Sequence, residues 1–264
     1  MKYLWSADDI NYLINNYNIK TKDELCADLN RTWSAIKNQL FKLKLKRNIG
    51  LINLRQSNLD ILLNDTNETY YWLGFLAADG HFNIKSGRLK FWIDKKDELQ
   101  LLKYADYIKC HNIQYYKNMC GINAQNKDVV KILASKFSIS STKTYNPMNI
   151  SVISNDDLMF SFIIGFIDGD GHIRVLKRKN CNINIDLHMH GSWLDNLIII
   201  ENFIFRYFNY PKNRIYSRIT KAGSSKLIFS NSSIIKDIYQ KALELDLPIL
   251  NRKWDNIKNN LFKQ

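Results

Sequence analysis

The chain has 264 residues, 45% of them hydrophobic and 24% charged, a balance that can fill buried cores and excludes general disorder. Thirty-eight lysines and arginines against 25 acids give a formal charge of +13, which favours phosphate polymers as partners. No stretch approaches the ~20 uninterrupted apolar residues of a membrane-spanning helix, and acids follow the start at once (Asp8, Asp9), so no membrane or secretory route is expected. Cys26, Cys110, Cys120 and Cys181 are scattered without a Cys-x-x-Cys pair. They read as reduced thiols of a cytoplasm-like compartment, whether a bacterial or phage-infected cell or an organelle matrix.

Residues 1–47 carry the pattern of three short helices. Ser6 caps the first, with Asp8 and Asp9 in its first turn and Ile10, Leu13, Ile14 and Tyr17 on one face. Thr21 and Glu24 form a capping-box pair for the second, which carries Leu25 and Leu29. Thr32 leads into a third whose inward stripe is Ile36, Leu40 and Leu43, leaving Ser34, Lys37, Asn38, Phe41 and Lys42 on its surface. Lys44, Lys46 and Arg47 extend the charge beyond its end. A basic, amide-bearing third helix is how a major-groove reader is built; a helical interaction module is the alternative. The run from Trp5 through Leu25, Leu29, Asn30, Arg31, Thr32, Ala35 and Ile36 to Leu43 resembles a Myb-like helix-turn-helix domain. That resemblance implies DNA contacts from Ser34, Lys37, Asn38 and Lys42.

Residues 48–66 are polar and read as a linker with a short helix at 58–63. Residues 1–65 hold 10 basic and 7 acidic side chains, so +10 of the net charge belongs to the rest. That larger part repeats itself, in halves 67–155 and 156–264. Trp72-Leu-Gly-Phe-Leu-Ala-Ala-Asp-Gly80 and Ile163-Ile-Gly-Phe-Ile-Asp-Gly-Asp-Gly171 share their plan, each followed by histidine (His81, His172). After each come alternating segments: Leu89, Phe91 and Ile93 between Arg88, Lys90, Trp92 and Asp94, then Ile183, Ile185, Leu187 and Met189 between Asn184, Asp186, His188 and His190. Period-two alternation predicts sheets with one buried face. Helices follow at Glu98–Lys109 and Trp193–Phe208, then further strands within Gln114–Ala124 and Arg214–Phe229, then another helix. The predicted fold class is α+β, in two pseudo-symmetric αββαββα halves.

The motif helices have small residues four apart, Gly74 and Ala78 in one, Gly165 and Gly169 in the other. Such spacing lets two helix backbones approach closely. Gly80 and Gly171 fit the left-handed residue just past a helix end, which sets Asp79 and Asp170 at two C-termini. There the helix dipole disfavours negative charge, and a divalent cation would relieve two adjacent carboxylates. His188-x-His190 lacks the cysteine partners of a zinc site.

At these residues the chain resembles the single-chain, two-motif LAGLIDADG homing endonucleases over roughly residues 68–260. The resemblance implies paired motif helices at the interface of the two halves and saddle-shaped sheets that grip a long, asymmetric double-stranded DNA site. It implies Mg²⁺ or Mn²⁺ held by Asp79 and Asp170, with the carbonyls of Ala78 and Gly169 as further ligands. Lys143 and Lys253, in segments that align with each other, correspond to the basic residue of each centre; Lys95 matches a polar position that is Gly191 in the second half. Ala77 stands where the second motif has Asp168. The implied reaction is metal-assisted hydrolysis of phosphodiesters to a staggered double-strand break by a monomer. Arg88, Lys90, Trp92, Arg174, Arg178, Asn184, His188, Arg218 and Lys226 would meet the DNA from the exposed sheet faces. The other reading is a non-cutting nucleic-acid binder on the same scaffold, a maturase with intron RNA as partner or a transcription regulator.

Overall fold

A computed structural model describes residues 4–47, 57–176, 182–212 and 216–261. The expected contact Arg178, the thiol Cys181, the strand start Arg214 and linker residues 48–56 lie outside the described residues. The chain forms two compact units, Met1–Ser57 and Asn58–Gln264.

The first unit holds α1 (Ala7–Asn16), α2 (Lys22–Asp28) and α3 (Trp33–Lys42). Reciprocal capping boxes start α1 (Ser6 with Asp9) and α2 (Thr21 with Glu24), and Thr32 caps α3, so the short side chains satisfy otherwise unpaired helix N–H groups. Leu13, Leu25, Leu29, Ile36 and Leu40 make the core. Ile14, expected inside, is 41% exposed, because so small a core admits only one turn-spaced residue of α1 fully. Arg47 is also a correction. Its guanidinium stacks 5.0 Å from the Trp33 ring and donates to Tyr17 O at 2.7 Å and to Lys20 O, so it ties the unit together instead of extending a charged surface.

The second unit begins with a turn of 3₁₀ helix, Leu59–Leu63, whose Leu59 and Leu62 are fully buried. That part of the expected linker is core. The order then runs α4 (Asn67–Asp79), β1 (Gly80–Asn83), β2 (Arg88–Asp94), α5 (Glu98–Tyr107), β3 (Ile113–Tyr116), β4 (Met119–Gln125) and α6 (Lys127–Phe137). It repeats as α7 (Asp156–Asp170), β5 (His172–Leu176), β6 (Asn182–His190), α8 (Leu194–Tyr207), β7 (Arg218–Ile219), β8 (Ser224–Phe229) and α9 (Ser232–Glu244), with a closing α10 (Asn251–Leu261). Each half has an antiparallel four-stranded sheet, ordered β1-β2-β4-β3 and β5-β6-β8-β7. The fold is α+β with two αββαββα repeats. One face of each sheet is buried as the alternation requires: Leu89, Phe91 and Ile93 from β2, Ile183, Ile185 and Leu187 from β6.

Helices α4 and α7 are buried on every side, from Thr69 to Ala77 and from Met159 to Asp168, as befits the centre of a core. Their backbones touch. A Cβ placed on Gly74 would stand 1.9 Å from Phe162 O, and one on Gly165 would stand 1.8 Å from Tyr71 O. Gly80 and Gly171 depart from the left-handed conformation expected of them. Their φ, ψ pairs are −73°, 156° and −73°, 149°, extended backbone that passes straight into β1 and towards β5. Glycine is needed there for space: a Cβ would meet Leu76 O at 2.5 Å or Ile167 O at 2.4 Å.

Candidate active centres and nucleic-acid face

Because α4 and α7 cross in backbone contact, their C-terminal ends come together. A Cβ on Gly169 of α7 would lie 3.5 Å from Asp79 Oδ2 of α4, so the Asp79 carboxylate reaches the end of the other helix. Asp79 and Asp170 both keep an edge open to solvent while protein crowds their other sides. That crowding, and then the Asp170 charge, pushes Asp79 up to about 6 against the pull of Lys143 and Lys253. Asp170 is raised as well, by burial, with both lysines opposing.

The lysines arrive from the chain that follows each half's last repeat helix. Lys143, in the turn after α6, donates from Nζ to Leu76 O (3.1 Å), Ala77 O (2.9 Å) and Ala78 O. Lys253, in the first turn of α10, donates to Ile167 O (3.1 Å), Asp168 O (2.6 Å), Gly169 O (2.9 Å) and Gly171 O (2.7 Å). Each ammonium thus caps the unpaired carbonyls of its own motif helix, where the dipole favours a cation. Burial lowers Lys143 to about 8 and lowers Lys253 too, with the aspartates pulling the other way. The carbonyls expected to hold metal, of Ala78 and Gly169, therefore already accept from an ammonium. The sequence pointed to a cation at these helix ends; the protein supplies one of its own.

Each lysine segment is held by the opposite half. Around Lys253, Gln100 on α5 donates to Pro248 O, Lys103 donates to Ile249 O at 2.9 Å, and Arg252 forks onto Asp97 at 2.6 and 2.8 Å. Around Lys143, Ser192 donates to Thr144 O at 2.8 Å and Asn196 on α8 donates to Met148 O at 2.8 Å. The second centre has an extra anchor. The fully buried Asp168 carboxylate accepts from Tyr71 on α4 (2.7 Å), Leu250 N (2.8 Å) and Trp254 Nε1 (2.5 Å). Ala77 offers nothing comparable in the first half. The anchoring roles of Asp168, Gln100 and Asp97 are not legible in the sequence, where the Asp168/Ala77 mismatch is the one available signal.

The Lys95 ammonium sits 5.6 Å from the Tyr115 ring centroid, and the charge of Asp97, two residues further on, acts on Asp79. Gly191 at the matching place is required by space, since a Cβ would meet Gly223 O at 2.5 Å.

The chemistry of the donor set fits a divalent cation of modest protein ligation. Two carboxylates lie side by side, and among the described residues no group of three or more His, Cys, Asp or Glu gathers to form a closed cage. Mg²⁺ commonly takes one or two carboxylates and completes its shell with water and substrate phosphate.

The outer sheet faces carry the expected polar groups. Arg88, Lys90, Trp92 and Asn184 are half-buried there, as is Lys226; Arg174, His188 and Arg218 are exposed. Trp92 lies flat over Gly121, where a Cβ would be 2.4 Å from its ring, and donates to Asn123 at 3.3 Å. His188 meets Ser224 at 2.7 Å. In the separate first unit, Ser34, Lys37, Asn38 and Lys42 are all exposed on α3, beside an 85% exposed Phe41.

Fold and site together define a pseudo-symmetric α+β protein with paired acid–lysine centres at the crossing of two central helices and a polar face on each sheet. No protein-family model and no curated protein matches the chain. Among solved structures it is similar to the LAGLIDADG meganuclease I-CpaMI bound to uncleaved DNA (12% identity, TM-score 0.48, 72% of this chain and 89% of that one). It is also similar to I-AabMI bound to uncleaved DNA (16%, 0.49, 73% and 88%) and to the homing endonuclease I-GzeII in complex with its DNA target (14%, 0.48, 73% and 88%). At such identities and TM-scores the chemistry of this chain rests on its own residues.

Proposed function

We propose that the chain is a site-specific double-stranded DNA endonuclease of the LAGLIDADG kind, using Mg²⁺ or Mn²⁺ to hydrolyse one phosphodiester per strand. The observation that carries this reading is the meeting of Asp79 and Asp170 at the ends of crossed helices, each end capped by a lysine. One chain holds both centres, so a monomer suffices for a staggered double-strand break. Asp79 and Asp170 would hold the cation, which when bound supplies Lewis-acid stabilisation of charge on the phosphate. Lys143 and Lys253 add fixed positive charge within the same crowded pocket, where electrostatic stabilisation is stronger than in water. The sheet faces would position the duplex, with Arg88, Lys90, Arg174, Arg218 and Lys226 as phosphate or base contacts and Trp92, Asn184 and His188 among them. The α3 surface of the first unit would add a second grip on the same duplex.

The test is cleavage selection on a randomised duplex library with Mg²⁺. The wild type should yield one long asymmetric site cut with a stagger. Asp79→Asn and Asp170→Asn should each lower double-strand cutting by about 100-fold or more while binding stays within a few-fold, the pattern of a lost transition-state interaction. Full cutting by either variant contradicts the paired-centre reading. Tight binding to RNA with no DNA site would favour a splicing role instead.

A further inference from the structure

A carboxylate is buried on the face of the second sheet that should meet a polyanion. Asp186 alternates with Ile185 and Leu187 along β6, so strand parity turns it away from the core, yet it is only 6% exposed. Across the β5–β6 ladder its Oδ2 accepts from Arg174, and its Oδ1 is buried with no hydrogen-bond partner among the described residues. Asp186 lines a cavity of about 240 Å³ together with Asp170, His172, Arg174, His188 and Lys226. Asp186 therefore shares a pocket with Asp170, the proposed catalytic acid of this half.

A buried acceptor left unmet costs stability, so a ligand that brings a donor to it is favoured. Phosphate offers none at neutral pH and repels the carboxylate. In a duplex major groove the donors are the amino groups of cytosine N4 and adenine N6. Arg174 presents donors beside Asp186, and guanine O6 and N7 are the acceptors arginine fits best. An acceptor flanked by an arginine fork matches the two edges of one C·G pair.

We propose that Asp186 and Arg174 form a base-reading pair that commits the second half-site to C·G close to the phosphate served by Asp170. The proposal rests on the endonuclease reading above. Asp186 accepts from cytosine N4 and Arg174 donates to the paired guanine, while Lys226 balances the charge around them. The first half cannot read this way: where His172 faces Asp186, its counterpart His81 faces Lys90. The asymmetry of the site is thus written in one residue of each sheet.

The test uses full-length protein and the site selected by the wild type, with every base pair of the second half-site substituted in turn and binding and cleavage measured on each duplex. In the wild type, replacing one C·G pair near the cut should cost tenfold or more. In Asp186→Ala that penalty should fall to near unity, with the other positions unchanged. Asp186→Asn, nearly isosteric, adds a donor and should shift the preference at that position towards a base offering an acceptor, while binding its preferred duplex tightly. A profile unmoved by both variants, or a uniform loss at every position, overturns the proposal. A wild type without sequence preference overturns the endonuclease reading along with it.

Discussion

Asp79 and Lys143 illustrate how one crowded helix end displaces an acid and a base in opposite directions. Asp79 rises to about 6 and Lys143 falls to about 8, each driven by burial; the Asp170 charge adds to the rise of Asp79, whereas both aspartates oppose the fall of Lys143. For a carboxylate this means the folded state holds its proton more tightly than the unfolded chain, whose ordinary value is 3.8. Folding stability carried by Asp79 is therefore present at low pH and is lost as pH rises from about 4 to about 6. Asp79→Asn has no such proton to lose. In chelator-treated protein, the melting temperature of that variant relative to wild type should rise across pH 4 to 6 and then level off. Adding Mg²⁺ above pH 6 should close the gap from the wild-type side, because a cation bound to the native carboxylate stabilises that state alone. A melting-temperature difference independent of pH would mean that Asp79 is not perturbed.

At the scale of elements, the crossing of α4 and α7 decides where everything else in the centre can be. Alanine in a helix interior is ordinarily favoured over glycine by roughly 1 kcal/mol, so Gly74→Ala would stabilise a helix with room around it. Here the new methyl would stand 1.9 Å from the Phe162 carbonyl, backbone that cannot swing aside. Forced overpacking costs about 1–3 kcal/mol even against side chains, and the helices would have to separate. Chemical denaturation should accordingly show Gly74→Ala and Gly165→Ala destabilised by about 3 kcal/mol or more, with cleavage lost through the displaced aspartates. A gain in stability would exclude the close crossing. This part of the fold was legible in the sequence, because a glycine at an otherwise unfavourable place, twice and in register, has few causes. So were the strands, through their alternation, and the caps of the first unit. The lysine caps could be placed by alignment, but their grip on the helix carbonyls depends on how the opposite half holds each segment. Alternation places Asp186 on the outer face of β6 but cannot show its burial, since it reports which face a residue is on and not what lies over it. The extended backbone at Gly80 and Gly171 is not legible in the sequence, because two needs, a left-handed turn and mere absence of Cβ, select the same residue.

At the scale of the whole molecule, the two units have separate cores, one built on Leu13, Leu25 and Ile36, the other on the crossed helices. Among the described residues each core is a cluster of its own unit's side chains, so removing residues 1–47 should leave the second unit folded with both acid–lysine centres intact. What is removed is the exposed α3 surface with Lys37 and Lys42, while most of the positive charge stays with the larger part. Each phosphate neutralised contributes about 0.9 to the slope of log affinity against log salt. If those two lysines each meet a phosphate, the truncated chain should bind its site with a slope smaller by about 2. Its affinity should fall by more than either contact alone implies, since a tethered second module acts at high effective concentration. Its single-turnover cleavage rate at saturating enzyme should be unchanged, because Asp79, Asp170, Lys143 and Lys253 all belong to the second unit. Salt-titrated binding of the full-length and truncated chains to the same duplex checks all three expectations together. Equal affinities and slopes would show that the first unit serves some purpose other than holding DNA.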